Sequence, residues 1–209
     1  MTFDAQDPAG PAAFSINFDY RCPFARNANE HVVTALQAGT PWTVHFAPFS
    51  LTQVHVGDGE PAAWDRPDKR SELVAVAAGV AVRERFADRF LATHIELFRA
   101  RHDEHGDLRD DAVVRAALAR GGVDPDAVYA ELAEGWPFAM LASEHEQAVA
   151  DHDVFGVPTF VTGGTAAFVR IMTRPRGDAE LARRTIGRVL DLLTAAPELN
   201  EVKHTTVPR

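Results

Sequence analysis

A chain of 209 residues with 46% hydrophobic and 24% charged residues has the length and composition of a globular protein, not of a disordered or fibrous one. Its formal net charge of −9 at pH 7 argues against nucleic acid as a partner, and no apolar run approaches the ~20 residues that span a bilayer. A single cysteine, Cys22, excludes an intrachain disulfide and a four-cysteine zinc site, so any redox chemistry must be intermolecular.

The opening residues show no secretion signal. The stretch from Met1 to Pro8 is acidic and lacks the basic start and the apolar core of a secretory leader. We therefore expect a cytoplasmic protein without a membrane partner.

The first 50 residues predict a strand, a helix and a second strand. Residues 13–19 alternate in polarity, and the apolar face consists of Phe14, Ile16 and Phe18. From Pro23 apolar side chains recur every four positions as far as Gly39, which indicates a helix begun by proline and ended by glycine. A second alternating run contains Trp42, Val44 and Phe46. The unit is of the βαβ type, with Cys22 at its first junction.

A helical insertion follows this unit. Residues 53–70 are rich in glycine and proline and read as a loop, after which helical spacing indicates helices in residues 71–102, 107–120, 124–134 and 138–151. We predict a domain made of residues 1–56 and 154–196, an inserted helical lobe at 57–153 and a C-terminal tail at 197–209.

Two strands and a helix complete the pattern. Thr159–Thr162 and Ala167–Ile171 have strand composition, and Gly163-Gly164 between them suits a tight hairpin turn. Asp178 then caps a last helix.

Cys22 lies where chemistry is expected. Between a strand and the first turn of a helix, unpaired backbone N–H groups and the helix dipole favour a thiolate, so we predict a lowered pKa. Arg21 and Arg26 are near enough in sequence to add positive potential. The alternative is a buried cysteine that only fills space.

A second motif is Gly156-Val157-Pro158-Thr159-Phe160, in which a proline opens a strand. Proline cannot donate to a sheet ladder, so this position indicates an edge or a special backbone geometry. We predict a cis bond before Pro158, close to Cys22.

The segments Phe18-Asp19-Tyr20-Arg21-Cys22-Pro23-Phe24-Ala25 and Phe155-Gly156-Val157-Pro158-Thr159-Phe160 together resemble the DsbA group of the thioredoxin superfamily, which includes actinobacterial oxidoreductases and glutathione-dependent hydroxychromene carboxylate isomerases. The resemblance implies an α/β, thioredoxin-like βαβ…ββα sheet with a helical insertion lobe. It implies that Cys22 is the nucleophile, that a substrate lies beside Pro158, and that the amide of Val157 pairs with that substrate as an added strand does. The remaining substrate-binding residues that it suggests are Tyr20, Arg21, Pro23, Phe24 and Thr159.

The chain departs from the dithiol members at Ala25, where they carry a second cysteine. A mixed disulfide at Cys22 must then be resolved by an outside thiol such as glutathione or mycothiol, with no tightly bound cofactor. We expect a monothiol thiol-disulfide oxidoreductase acting on a small thiol or disulfide. The alternatives are a thiol-dependent isomerase, a small-molecule reductase, or a non-catalytic member that binds a thiol or a peptide.

Other charged groups are weaker candidates for a ligand-binding or metal site. Three arginines near the end of the last predicted strand suit the carboxylates of a small thiol, or are solvated surface: Arg170, Arg174 and Arg176. The acidic and imidazole groups of residues 102–107 look like a metal cluster but are more typical of a solvated loop, so no metal is assigned. Oligomeric state is left open, with a homodimer as one option.

Overall fold

The computed structural model describes residues 12–196, 198–201 and 203–204, and its centre is a four-stranded sheet in the order β2-β1-β3-β4. The strands are β1 Ala12–Phe18, β2 Trp42–Pro48, β3 Thr159–Thr162 and β4 Thr165–Phe168. Strand β2 is parallel to β1, whereas β3 is antiparallel to β1 and to β4. The predicted βαβ…ββα order is present, but residues 1–11 and most of the predicted tail lie outside the described residues.

The apolar face of β1 forms the centre of the core. Phe14, Ile16 and Phe18 are at most 5% exposed, as their alternation predicts. Helix α1, Pro23–Gln37, begins at a proline because the fixed φ and missing N–H of proline suit a first helical turn. It packs against β1 and against helix α8, Ala179–Ala195, which also contacts β3 and β4. Asp178 caps α8 through the amide of Leu181 at 2.9 Å.

The insertion contains five main helices: α3 Arg70–Arg85, α4 Ala87–His102, α5 Asp111–Arg120, α6 Pro125–Ala133 and α7 Trp136–His152. The short helix α2 (Leu51–Val54) and two 3₁₀ turns (Ala63–Asp65 and Pro67–Lys69) occupy the predicted loop. The helical run predicted at 71–102 is two helices, because Phe86 leaves helical geometry at φ −132° and ψ 47°. The division into residues 1–56 with 154–196, an inserted lobe at 57–153 and a tail at 197–209 stays a prediction.

The hairpin between β3 and β4 turns where the glycines predict it. Gly163 and Gly164 have φ values of 56° and 82°, which glycine adopts without a steric penalty. Strand β4 ends at Phe168, so the prediction that it continues to Ile171 is wrong. The last hydrogen bond runs from the amide of Val169 to the carbonyl of Pro158 at 3.1 Å, and Pro158 has no N–H to extend the ladder.

The helical lobe and the sheet meet at a buried histidine on α4. His94 is 0% exposed; its Nδ1 accepts from the Tyr20 hydroxyl at 2.9 Å, and its Nε2 donates to Asn29 Oδ1 at 3.0 Å. Gly79 on α3 lies against the same tyrosine. Ring centroids within 5.3 Å of the imidazole belong to Phe18, Tyr20, Phe46, Phe90 and Phe98. In the parts of the chain that the structure describes, no helix is both long and apolar enough to cross a membrane.

Candidate active site

Cys22 is the N-cap residue of α1, at the junction that the sequence predicts. Its sulfur accepts from the amide of Ala25 at 3.4 Å and donates its proton to the carbonyl of Val157 at 3.3 Å. The residue is 8% exposed. The thiol is therefore held between a helix start and the loop before β3.

Burial raises the pKa of the Cys22 thiol, so the predicted lowering is wrong. The amides of Ala25 and Phe24 lower this pKa, but removing the thiolate from water has the larger effect, and the Asp19 carboxylate raises it further. Carboxylates also pair with Arg21 and Arg26, the two arginines whose positive potential was expected to lower this pKa. Arg21 pairs with Asp19 at 3.2 Å and with Glu72 at 3.3 Å, and Arg26 pairs with Asp103.

The loop opposite Cys22 contains the predicted cis bond between Val157 and Pro158. Buried Asn17 on β1 holds this loop, since its Oδ1 accepts from the amide of Thr159 at 2.6 Å and its Nδ2 donates to the carbonyl of Gly156 at 3.2 Å. The predicted proximity of this loop to Cys22 is confirmed by the sulfur contact with Val157.

Asp19 fixes the turn that leads from β1 to Cys22. The carboxylate, on a residue 1% exposed, accepts from the amides of Arg21 and Leu51, each at 2.9 Å. The turn is thereby tied to the segment that follows β2. The sequence predicts no role for Asp19 or Asn17, because polar residues at positions 17 and 19 fit the alternation of a half-buried strand.

The predicted substrate-binding residues do not all reach one surface. Pro23 is exposed and Phe24 half-buried beside Cys22, while the three loop residues Val157, Pro158 and Thr159 are buried across from it. The prediction that Tyr20 binds substrate is wrong, because its side chain is 0% exposed and hydrogen-bonded to His94 and so does not reach the surface beside Cys22.

Arg21 faces a cavity of about 340 Å³ next to the Cys22 turn. Three of its lining side chains are cationic and one is a carboxylate: Arg21, Arg66, Lys69 and Glu72. A second cavity of about 280 Å³ shares Arg21 and Glu72 and extends toward Arg101 and Arg109. Arg21 therefore links two charged depressions on this side of the molecule.

The arginines after β4 are not a free cationic cluster. Arg174 pairs with Glu30 at 2.6 Å and with Asp103 at 3.3 Å, and the Arg170 guanidinium lies 5.4 Å from the centre of the Phe24 ring. In the loop after α4, His102 turns inward and donates to the carbonyl of Tyr20 at 2.9 Å. Over the described ranges of the chain, no three histidine, cysteine or acidic side chains are grouped as a metal site requires.

The sequence from residue 15 to residue 173 matches the family model described as a DSBA-like thioredoxin domain. This match covers more than half of the chain, and the chain belongs to that family. No curated protein matches the sequence significantly.

Solved structures share the fold at low sequence identity. A 2-hydroxychromene-2-carboxylate isomerase is 16% identical with a TM-score of 0.59, over 86% of this chain and 96% of its own. The oxidoreductase DsbA1 of Neisseria meningitidis is 16% identical with a TM-score of 0.58, over 93% and 89%. DsbA of Pseudomonas aeruginosa is 21% identical with a TM-score of 0.53, over 91% and 88%. The predicted thioredoxin-like fold with a helical insertion is confirmed.

Proposed function

We propose that the chain is a monothiol member of its family that exchanges disulfides through Cys22 and an external low-molecular-weight thiol. The position of the Cys22 sulfur carries the proposal: it caps α1 and lies 3.3 Å from the carbonyl oxygen of Val157, next to the cis proline Pro158. A substrate paired with this loop as an added strand would bring its disulfide to the sulfur. Because Ala25 has no thiol, the intermediate is resolved from outside.

The exchange has two balanced steps. Cys22 loses its proton to solvent, and the thiolate attacks one sulfur of a disulfide R–S–S–R′; a bond from Cys22 to R–S forms while R′S⁻ leaves with the electron pair and takes up a proton. An external thiolate R″S⁻ then attacks the R sulfur, forming R–S–S–R″ and returning the Cys22 thiolate. The substrate disulfide is the only oxidant that this cycle needs.

The cavity beside Arg21 supports a thiol that carries carboxylates. Arg66 pairs with Glu60 and Asp68, whose side chains are 56% and 64% exposed, and pairs this exposed contribute little stability. A ligand carboxylate can therefore replace Glu60 and Asp68 as the partner of Arg66 at a small cost in free energy. This favours glutathione as the cosubstrate, with mycothiol as the alternative, in the reducing cytoplasm where such thiols are abundant.

The test is the intact mass of the protein after incubation with oxidised glutathione, with oxidised mycothiol in parallel. We expect one mixed disulfide at Cys22, its removal by the reduced thiol, and repeated turnover of a glutathionylated peptide. Cys22→Ser, which preserves the residue's size, should give no adduct and no turnover. A folded protein that forms no adduct with either thiol would contradict the proposal.

The raised pKa of the Cys22 thiol favours a second candidate, a non-catalytic member that binds a thiol or a peptide beside Pro158. Such a protein would bind in the groove, or form a slow adduct, without turnover. The similarity to an isomerase keeps thiol-dependent isomerisation as the alternative within the enzyme class. A glutathione adduct that forms and reverses without peptide turnover would favour these two candidates.

A further inference from the structure

Asn17 lies where the sheet ladder between β1 and β3 stops. The register pairs Ser15 with Val161 and Ile16 with Phe160, so the next step places Asn17 opposite Thr159. At this point the Asn17 side chain itself bonds the opposite chain.

The asparagine amide matches the two groups that it meets. Its oxygen accepts from the Thr159 amide at 2.6 Å and its nitrogen donates to the Gly156 carbonyl at 3.2 Å, so one planar group joins both ends of the loop that contains Val157 and Pro158. Asn17 is 4% exposed. Water therefore cannot readily replace either bond, and a side chain without an acceptor would leave the buried Thr159 amide unpaired.

This clamp sets the position of the group that faces Cys22. The carbonyl of Val157, 3.3 Å from the Cys22 sulfur, lies between the two backbone groups that Asn17 holds. Thr159 Oγ also donates to the Gly156 carbonyl, at 2.8 Å, which closes the loop on itself but does not connect it to β1. Of these side-chain bonds, those of Asn17 connect the loop to the strand that leads to Cys22.

We propose that Asn17 is a positioning residue that sets the distance between the Cys22 thiol and the Val157 carbonyl. The functional meaning of this role rests on the proposed function at Cys22, but the geometry does not. Without the clamp, the carbonyl moves away from the thiol and solvent enters, and both changes favour the thiolate.

The test compares Asn17→Leu with Asn27→Leu. Asn27 is a matched control, because its Nδ2 also donates to a backbone carbonyl, that of Ile171 at 2.9 Å, away from the Val157 loop. The rate of Cys22 alkylation against pH gives the midpoint of thiol ionisation. We expect Asn17→Leu to lower that midpoint by about half a pH unit or more, the size of one lost hydrogen bond. Asn27→Leu should leave it unchanged.

Amide hydrogen exchange gives a second readout. In the unmodified protein the amide of Thr159 should exchange as slowly as that of Phe160, and Asn17→Leu should speed its exchange at least tenfold more than that of Phe160. If Asn17→Leu does not fold, Asn17→Ser, whose hydroxyl is too short to span both groups, is expected to act in the same direction.

Three outcomes would overturn the role of Asn17: an unchanged midpoint in a folded variant, an equal shift in Asn27→Leu, or a Thr159 amide that exchanges freely in the unmodified protein. Neither readout needs turnover. A protein without exchange activity would thus refute the proposed function and leave the role of Asn17 measurable.

Discussion

Ala25 occupies the position from which a second thiol would reach Cys22. Its amide nitrogen lies 3.4 Å from the Cys22 sulfur, and the residue is fully buried. Residues three apart at a helix start share one face, so we expect Ala25→Cys to form an intrachain disulfide with Cys22 on oxidation. The variant should then oxidise a reduced peptide with no added thiol, which intact mass and peptide oxidation measure.

The control for this gain is Ala38→Cys, at the far end of α1. The helix rise puts that position roughly 24 Å from Cys22, so the second thiol cannot bridge to it within one molecule. A folded Ala25→Cys protein that behaves like Ala38→Cys would show that the helix start is not the exchange site.

At the residue scale, the position of Cys22 could be predicted but its ionisation could not. A cysteine before a proline at a strand-to-helix junction indicates an N-cap. Its pKa depends on how deeply the loop of residues 156–159 covers the sulfur, and that loop is more than 130 positions away. Arg21 and Arg26 also pair with carboxylates that lie far from them in sequence.

Helix α3 depends on a glycine where it passes Tyr20. A Cβ atom built on Gly79 would lie 2.4 Å from the Tyr20 hydroxyl oxygen. Alanine gains about 1 kcal/mol over glycine in a helix, but overpacking a buried site costs about 1 to 3 kcal/mol. Tyr20 is fully buried and cannot move aside easily. We therefore expect Gly79→Ala to lower the free energy of unfolding, measured by urea denaturation.

Gly57→Ala is the matched control, because its new Cβ would meet only Glu60 at an ordinary 3.7 Å. We expect a change within about 0.5 kcal/mol there. Equal stability of the Gly79→Ala protein and the unmodified protein would mean that α3 and Tyr20 do not pack this closely.

At the scale of elements, periodicity and caps predicted most of the secondary structure. Asp124 and Asp178 are N-caps at the predicted helix starts, whereas the helix predicted from residue 107 begins at Asp111, with Asp110 as its N-cap. The break at Phe86 could not be predicted, because residues of helical composition continue on both sides of it. The early end of β4 could not be predicted either, because residues of strand composition continue beyond Phe168. The end of β4 depends on Pro158, in a segment to which the sequence alone gave no register.

Two buried histidines, His94 and His145, and the half-buried His102 make the stability of the whole molecule depend on pH. Burial lowers the pKa of His94 to about 3 and those of His102 and His145 to about 4. The unfolded chain binds these protons near pH 6.5 and the folded chain does not, so stability is full above that pH and falls as pH decreases toward 4. Each histidine contributes a slope of at most about 1.4 kcal/mol per pH unit.

Between pH 6 and pH 4, we expect His94→Gln to reduce the slope of unfolding free energy against pH by about the contribution of one histidine, since glutamine does not titrate. Urea denaturation at several pH values measures it. Thr93→Val, at the adjacent buried position, removes no titrating group and should leave the slope unchanged. A His94→Gln slope equal to that of the unmodified protein would show that His94 is protonated in the folded state.

At the scale of the whole molecule, the insertion itself could be predicted, because helical spacing lies between two strand-bearing parts. The contact that joins the lobe to the sheet could not. His94 meets Tyr20 and Asn29 across 74 and 65 positions of sequence, and a histidine on a helix gives no sign of such partners.

Having only one cysteine also limits the redox chemistry that this chain can carry out by itself. A protein with two neighbouring thiols can store a pair of electrons in its own disulfide and has a reduction potential for that couple. With Ala25 beside Cys22, this chain has no such internal store. Under the proposed exchange, the oxidation state of Cys22 would follow the ratio of reduced to oxidised thiol in its surroundings, and the thiol pool would set the direction of exchange.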